Sequence, residues 1–135
     1  MRWLRAIPIP ALVLLAYNAL VLLGGDPAAT LTAKVIGASL ASGAAFTLTT
    51  GEILLLAGIV ALFIEIVKAT RSSTASAVEH ALSALVFAAY LVEFLLVKTA
   101  GTGVFLILTV VSFLDLIAGF TVTIGAARRD LIIER

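Results

Sequence analysis

Thr49-Thr50-Gly51-Glu52, followed by Ile53-Leu54-Leu55-Leu56-Ala57-Gly58-Ile59-Val60-Ala61-Leu62-Phe63-Ile64-Glu65-Ile66-Val67-Lys68-Ala69, is the stretch on which the fold turns. Thr49 and Glu52 are spaced as a capping box, in which each side chain satisfies an orphan N–H of a first helical turn. The apolar run behind them matches the roughly 20 residues that cross a hydrocarbon core of about 30 Å. A capped helix of that length and composition is expected to sit in a bilayer.

Three more stretches read the same way. One runs from about Ala6 to Leu23, with Pro8 and Pro10 in its opening turns and Gly24-Gly25-Asp26-Pro27 as a stop and turn. Another runs from about Ala77 to Val97 behind the polar segment Arg71 to Ser76, with Ser76 and Glu79 repeating the capping spacing. The last runs from about Gly103 to Gly125. The whole chain of 135 residues is 62% hydrophobic and 13% charged, outside the range of a soluble globular domain. The expected fold is an all-α membrane protein, a single domain of four transmembrane helices (about 6–23, 50–69, 77–97 and 103–125).

Orientation follows from Lys and Arg, because short loops rich in them stay in the cytoplasm. Arg2, Arg5, Lys68, Arg71, Arg128, Arg129 and Arg135 fall on one side, and only Lys34 and Lys98 on the other. Both termini are therefore expected inside a bacterial inner (plasma) membrane. The first stretch also has the basic, short start of a cleaved signal peptide. Against that, Tyr17 and Asn18 interrupt its apolar region and no A-x-A site follows.

The loop 24–49 is too long for a simple turn. Ala45 to Thr49 alternates apolar and hydroxyl residues, Leu31 to Leu40 is compatible with a strand, and Ala41-Ser42-Gly43-Ala44 between them suits a turn. An extracytoplasmic β-hairpin lying against the helix ends is expected, with an interfacial helix over Thr32 to Ala41 as the alternative. Between Leu31 and Thr50 the only charge is Lys34, so a strand edge there is poorly protected against pairing.

Function must be sought in the polar residues inside the spans, because charge in hydrocarbon is costly and has to find partners. At 100° per residue, Gly51, Gly58, Ala61, Glu65 and Lys68 share one stripe of the second span. Ser76, Glu79, His80, Ser83 and Tyr90 share one on the third, Ser112, Asp115, Gly119 and Thr123 one on the fourth, and Ala11, Asn18 and Gly25 one on the first. Turned inward, these stripes make a four-helix bundle. Asp115, Glu65, His80, Asn18, Tyr90 and Glu93 form the candidate site. A ladder from Glu93 through Tyr90, Asp115 and Asn18 to Glu65 and His80 would suit proton or cation passage.

Each of these residues also has a structural reading. Glu79 suits a cap, Glu65 with Lys68 an ion pair, Glu93 contact with water or Lys98, and His80 an interfacial hydrogen bond. Asp115 lies about 15 Å from the inner boundary. No basic residue stands within a turn of it, so Asn18, Tyr17 or Tyr90 is expected to bond it from another helix.

The runs Leu62 to Glu65, Lys68 to Arg71, His80 to Ser83, Glu93 to Leu96 and Gly119 to Ile124 resemble uncharacterised small membrane proteins of bacteria. The resemblance covers the last three spans and implies no activity. With 9 basic against 8 acidic residues there is no basic surface for nucleic acid. With no Cys and one His, thiolate metal sites and a two-histidine haem clamp are excluded. No nucleophile with a base, zinc motif or phosphate loop is present, so no enzymatic activity and no cofactor is expected. The expected role is an accessory, assembly or oligomeric interaction subunit, forming a homo-oligomer or part of a larger membrane complex. The alternative is a small channel or transporter driven by the intramembrane carboxylates.

Overall fold

The computed structural model describes residues 7–70 and 76–133, apart from the side chains at positions 76, 77, 123 and 126–133. Its first helix, α1 (Ile9–Gly24), opens without a side-chain cap on its N-cap residue Pro8. The open N–H groups of its first turn are nevertheless disposed of. Pro10 has none, Ala11 N donates to Pro8 O at 3.0 Å, and Ile9 N donates to the Glu65 carboxylate at 2.8 Å. The helix closes at Gly25, whose N–H returns to Val21 O at 3.0 Å.

A second, short helix α2 (Pro27–Thr32) follows at once. Asp26 caps it, its carboxylate accepting from Ala28 N at 3.2 Å and Ala29 N at 3.3 Å, with Pro27 at the first helical position. This corrects the expectation of a strand beginning at Leu31, whose side chain is instead buried from the helix. Asp-Pro ahead of two alanines is a helix start, and it outweighs weak alternation over Leu31 to Ala33.

Strands β1 (Lys34–Ser39) and β2 (Ala45–Thr49) pair antiparallel, with Ile36 opposite Leu48 and Ala38 opposite Phe46. The turn closes through Gly43 N to Leu40 O and Leu40 N to Ala44 O, both 2.9 Å, and Gly43 takes φ +82°, where a glycine is favoured. The hairpin does not lie down on the helices as expected. Every residue of β1 is exposed, and only Leu48 and Thr49 of β2 are half-buried where the strand runs into the next helix.

Helix α3 (Thr50–Ala69) begins with the expected capping box: Thr49 N donates to Glu52 Oε2 at 2.7 Å, and Glu52 N to Thr49 Oγ1 at 3.3 Å. Helix α4 (Ser76–Leu96) follows, and the second expected box falls on Ser76, outside the described side chains. A 3₁₀ turn, Lys98–Ala100, leads into α5 (Gly103–Ile133). That last helix continues eight residues past the expected end at Gly125, because nothing in Ala126 to Ile133 breaks a helix.

Helices α3, α4 and α5 contain segments long and apolar enough to cross a membrane, at Thr50–Ala69, Val78–Leu96 and Gly103–Val122. With 16 residues, α1 is about 24 Å long and falls short of that length. Helix α5 packs against both α3 and α4, and α1 packs mainly on α3 with a thin contact to α4. Phe105, in the first turn of α5, sits between two tyrosines. Its ring centroid is 4.7 Å from Tyr17 of α1 and 5.4 Å from Tyr90 of α4, the first contact edge-on at 66°.

Candidate functional site

The stripes of α3 and α5 turn inward as expected. Gly51, Gly58, Ala61 and Glu65 are buried, and so are Ser112 and Asp115. Small residues let the backbones approach, with Gly51 and Gly58 of α3 lying against Val104 and Leu108 of α5. On α1 the buried face is a different one. Val13, Leu14, Tyr17 and Val21 face the core, while Asn18 is half-buried and Gly25 exposed.

The polar residues do not form one ladder; they form two groups at opposite ends. At the hairpin end, the Tyr17 hydroxyl donates to Thr99 O at 3.0 Å and lies 2.8 Å from Thr102 Oγ1. Its single proton being used, the Thr102 hydroxyl donates to it and accepts from Phe105 N at 3.1 Å, which caps α5. Beside it, the Asn18 amide donates to Glu93 Oε2 at 2.8 Å and to Leu14 O at 3.2 Å. The expected contact from Glu93 to Lys98 is not made among the described residues; Asn18 takes that place.

Between the groups, Tyr90 donates to Pro10 O at 3.0 Å, a backbone carbonyl and not a carboxylate. Tyr90 is 1% exposed, Phe105 0% and Leu108 1%, and all three belong to the packed core of the bundle. Tyr17, Asn18 and Tyr90 are each committed elsewhere, and the expected bond from one of them to Asp115 is absent.

The second group gathers at the far end of α3, the start of α4 and the middle of α5. Glu65, 8% exposed, bridges two elements at once. It accepts from Ile9 N of α1 and pairs with Lys68 Nζ, 3.1 Å from Oε1 and 2.9 Å from Oε2. Asp115, 5% exposed, has the Ser83 hydroxyl of α4 within hydrogen-bonding reach. His80 stacks on Phe120 with centroids 5.2 Å apart, and a Cβ at Gly119 would fall 2.7 Å from its Nδ1. The glycine is what lets the imidazole lie against α5.

These side chains line a cavity of about 20 Å³ bounded by Glu65, Glu79, His80, Ser83, Asp115 and Gly119. A water needs on the order of 10–15 Å³ and two to four polar partners, so the space suits a single water between carboxylates and imidazole. Among the described residues no group of three or more His, Cys, Asp or Glu is placed to hold a metal ion. The arrangement can hold and pass a proton within this group. Ser83 was legible only as a member of its stripe; its part here comes from the way α4 crosses α5.

Comparison of the chain with models of known protein families, with curated proteins and with solved structures finds no match.

Proposed function

We propose that this protein is a non-catalytic integral membrane protein whose role is interaction: an accessory, assembly or oligomeric subunit that pairs through its projecting hairpin. One observation carries the reading: an antiparallel hairpin stands free of the helices with both outer edges unpaired among the described residues and its apolar side chains exposed. Ile36, Ala38, Phe46 and Leu48 share one face, and Ile36 is 50% and Phe46 40% exposed. A two-stranded hairpin is marginal alone, and unprotected edges accept further strands.

The membrane placement rests on the three long apolar helices. The proposed topology adds α1 as a fourth span, short enough that the bilayer thins around it or its flanks reach the interface. It places both termini on the cytoplasmic face of a bacterial inner membrane, with the hairpin outside.

Replacing residues 33–47 by a short Gly-Ser linker is expected to convert an oligomer into a monomer, as measured by light scattering in mild detergent. An unchanged mass, or a monomeric parent with no co-purifying protein, refutes the hairpin's role.

The polar cavity favours a second reading, a proton-linked channel or transporter using Asp115 and Glu65. Asp115→Asn keeps the volume and the contact with Ser83 but removes the titratable proton. It is expected to spare assembly and abolish proton flux into proteoliposomes; flux equal to the parent's refutes this reading.

A further inference from the structure

A second, wider cleft lies at the hairpin end between α1 and the 3₁₀ turn. It has a volume of about 230 Å³ and is lined by Asn18, Val21, Leu22, Gly25 and Thr99. Both amide protons of Asn18 are used, on Glu93 and Leu14, so its Oδ1 remains an acceptor with no donor among the described residues. Behind it stands Glu93, half-buried, bonded to that neutral amide and ion-paired to no cation among the described residues. The surroundings offer hydrogen-bond acceptors and a negative charge, and the charge lacks a counterion.

Depth selects the ligand. Glu93 lies three residues before the end of α4 at Leu96, about 4.5 Å along the helix, which is where a span meets the headgroups. Leu22 is 84% exposed and forms an apolar wall on the side that acyl chains would cover. A group that brings a positive charge to this depth with hydrocarbon attached is the ammonium of a zwitterionic phospholipid.

We infer that the cleft between Asn18, Leu22 and Thr99, backed by Glu93, binds the ammonium headgroup of a phosphatidylethanolamine-type lipid in the hairpin-side leaflet. The inference rests on the membrane reading above and is independent of the hairpin's role. The ammonium donates to Asn18 Oδ1 and to oxygen acceptors of Thr99, and the Glu93 carboxylate supplies the opposite charge. A lipid with an anionic headgroup meets the same carboxylate unfavourably.

The test is native mass spectrometry of the full chain in mild detergent, incubated with dioleoyl-phosphatidylethanolamine or dioleoyl-phosphatidylglycerol. The parent is expected to retain the ethanolamine lipid several-fold over the glycerol lipid. Glu93→Gln keeps an acceptor for Asn18 and so keeps the helix contact, yet is expected to bring the preference to near unity. Leu22→Trp, which fills the cleft from its exposed wall without touching Glu93, is expected to lower ethanolamine-lipid retention several-fold. Equal retention of both lipids by the parent, or an undiminished preference in Glu93→Gln, overturns the site. Retention of free ethanolamine in place of the lipid reassigns it to a soluble amine and overturns the lipid assignment. A chain that washes out of membranes at high pH fails the membrane reading itself, whereas one that stays and shows no preference fails only the site.

Discussion

Replacing Tyr17 by alanine is expected to lower the thermal midpoint of the detergent-solubilised protein by roughly 10 °C, from a loss of about 3–5 kcal/mol. Tyr17 is fully buried, with its ring edge-on to Phe105 and its hydroxyl tied to Thr99 and Thr102. Truncation empties the seat of a whole aromatic ring and leaves the Thr99 carbonyl without its donor. Tyr17→Phe separates the two contributions. It keeps the ring and loses only the hydroxyl, so about 1–2 kcal/mol of the effect is expected to remain. A midpoint within one or two degrees of the parent's for the alanine variant would show that α1 is not held by this residue.

Glu65→Leu is the second large effect, expected to cost on the order of 2–4 kcal/mol. The leucine fills the volume but strands two groups. Ile9 N loses its acceptor at the start of α1, and Lys68 loses its counter-charge. Lys68 is 27% exposed at the side chain and can turn toward water, which keeps the estimate at the lower end of what breaking a buried pair costs. Glu65→Gln retains an acceptor for Ile9 N and is expected to recover more than half of the loss. If both variants melt together, the Ile9 contact contributes little. Limited proteolysis near residues 7–9 gives an independent reading, because the leucine variant should expose the start of α1 and the glutamine variant should not.

These two residues show how differently parts of the molecule could be read from the sequence. Glu65 was legible, because its stripe with Gly58, Ala61 and Lys68 follows from the 100° helical period. Its pairing with Lys68 is local and needs no knowledge of other helices. That the same carboxylate also holds the N-terminus of α1, 56 residues away in the chain, could not be seen. Tyr17 reads in the sequence as an interruption of an apolar run and as one candidate partner for Asp115, yet it is one of the most buried side chains and bonds the segment ahead of α5. A tyrosine in an apolar helix satisfies periodicity on any face. The Thr99 carbonyl of the 3₁₀ turn and the Thr102 hydroxyl just ahead of α5 are the groups that turn its hydroxyl inward.

Features that rest on neighbours in the chain are legible without coordinates. The apolar lengths of α3, α4 and α5, the Thr49–Glu52 box and the hairpin over Ala41 to Ala44 belong there, since each rests on contacts within a few residues. The Asp26-Pro27 start of α2 belongs there too, although strand alternation obscured it. Which polar groups meet follows from the packing of the helices. Depth along each helix follows from the rise per residue, and it allows a ladder from Glu93 through Tyr90, Asp115 and Asn18 to Glu65 and His80. Depth says nothing of rotation and crossing, however, and these give Asn18 to Glu93 and Asp115 to Ser83. The hairpin's stance was settled in the same way: its strands are encoded locally, but whether they lie on the helices depends on the short α2, which sets the direction in which the chain leaves α1.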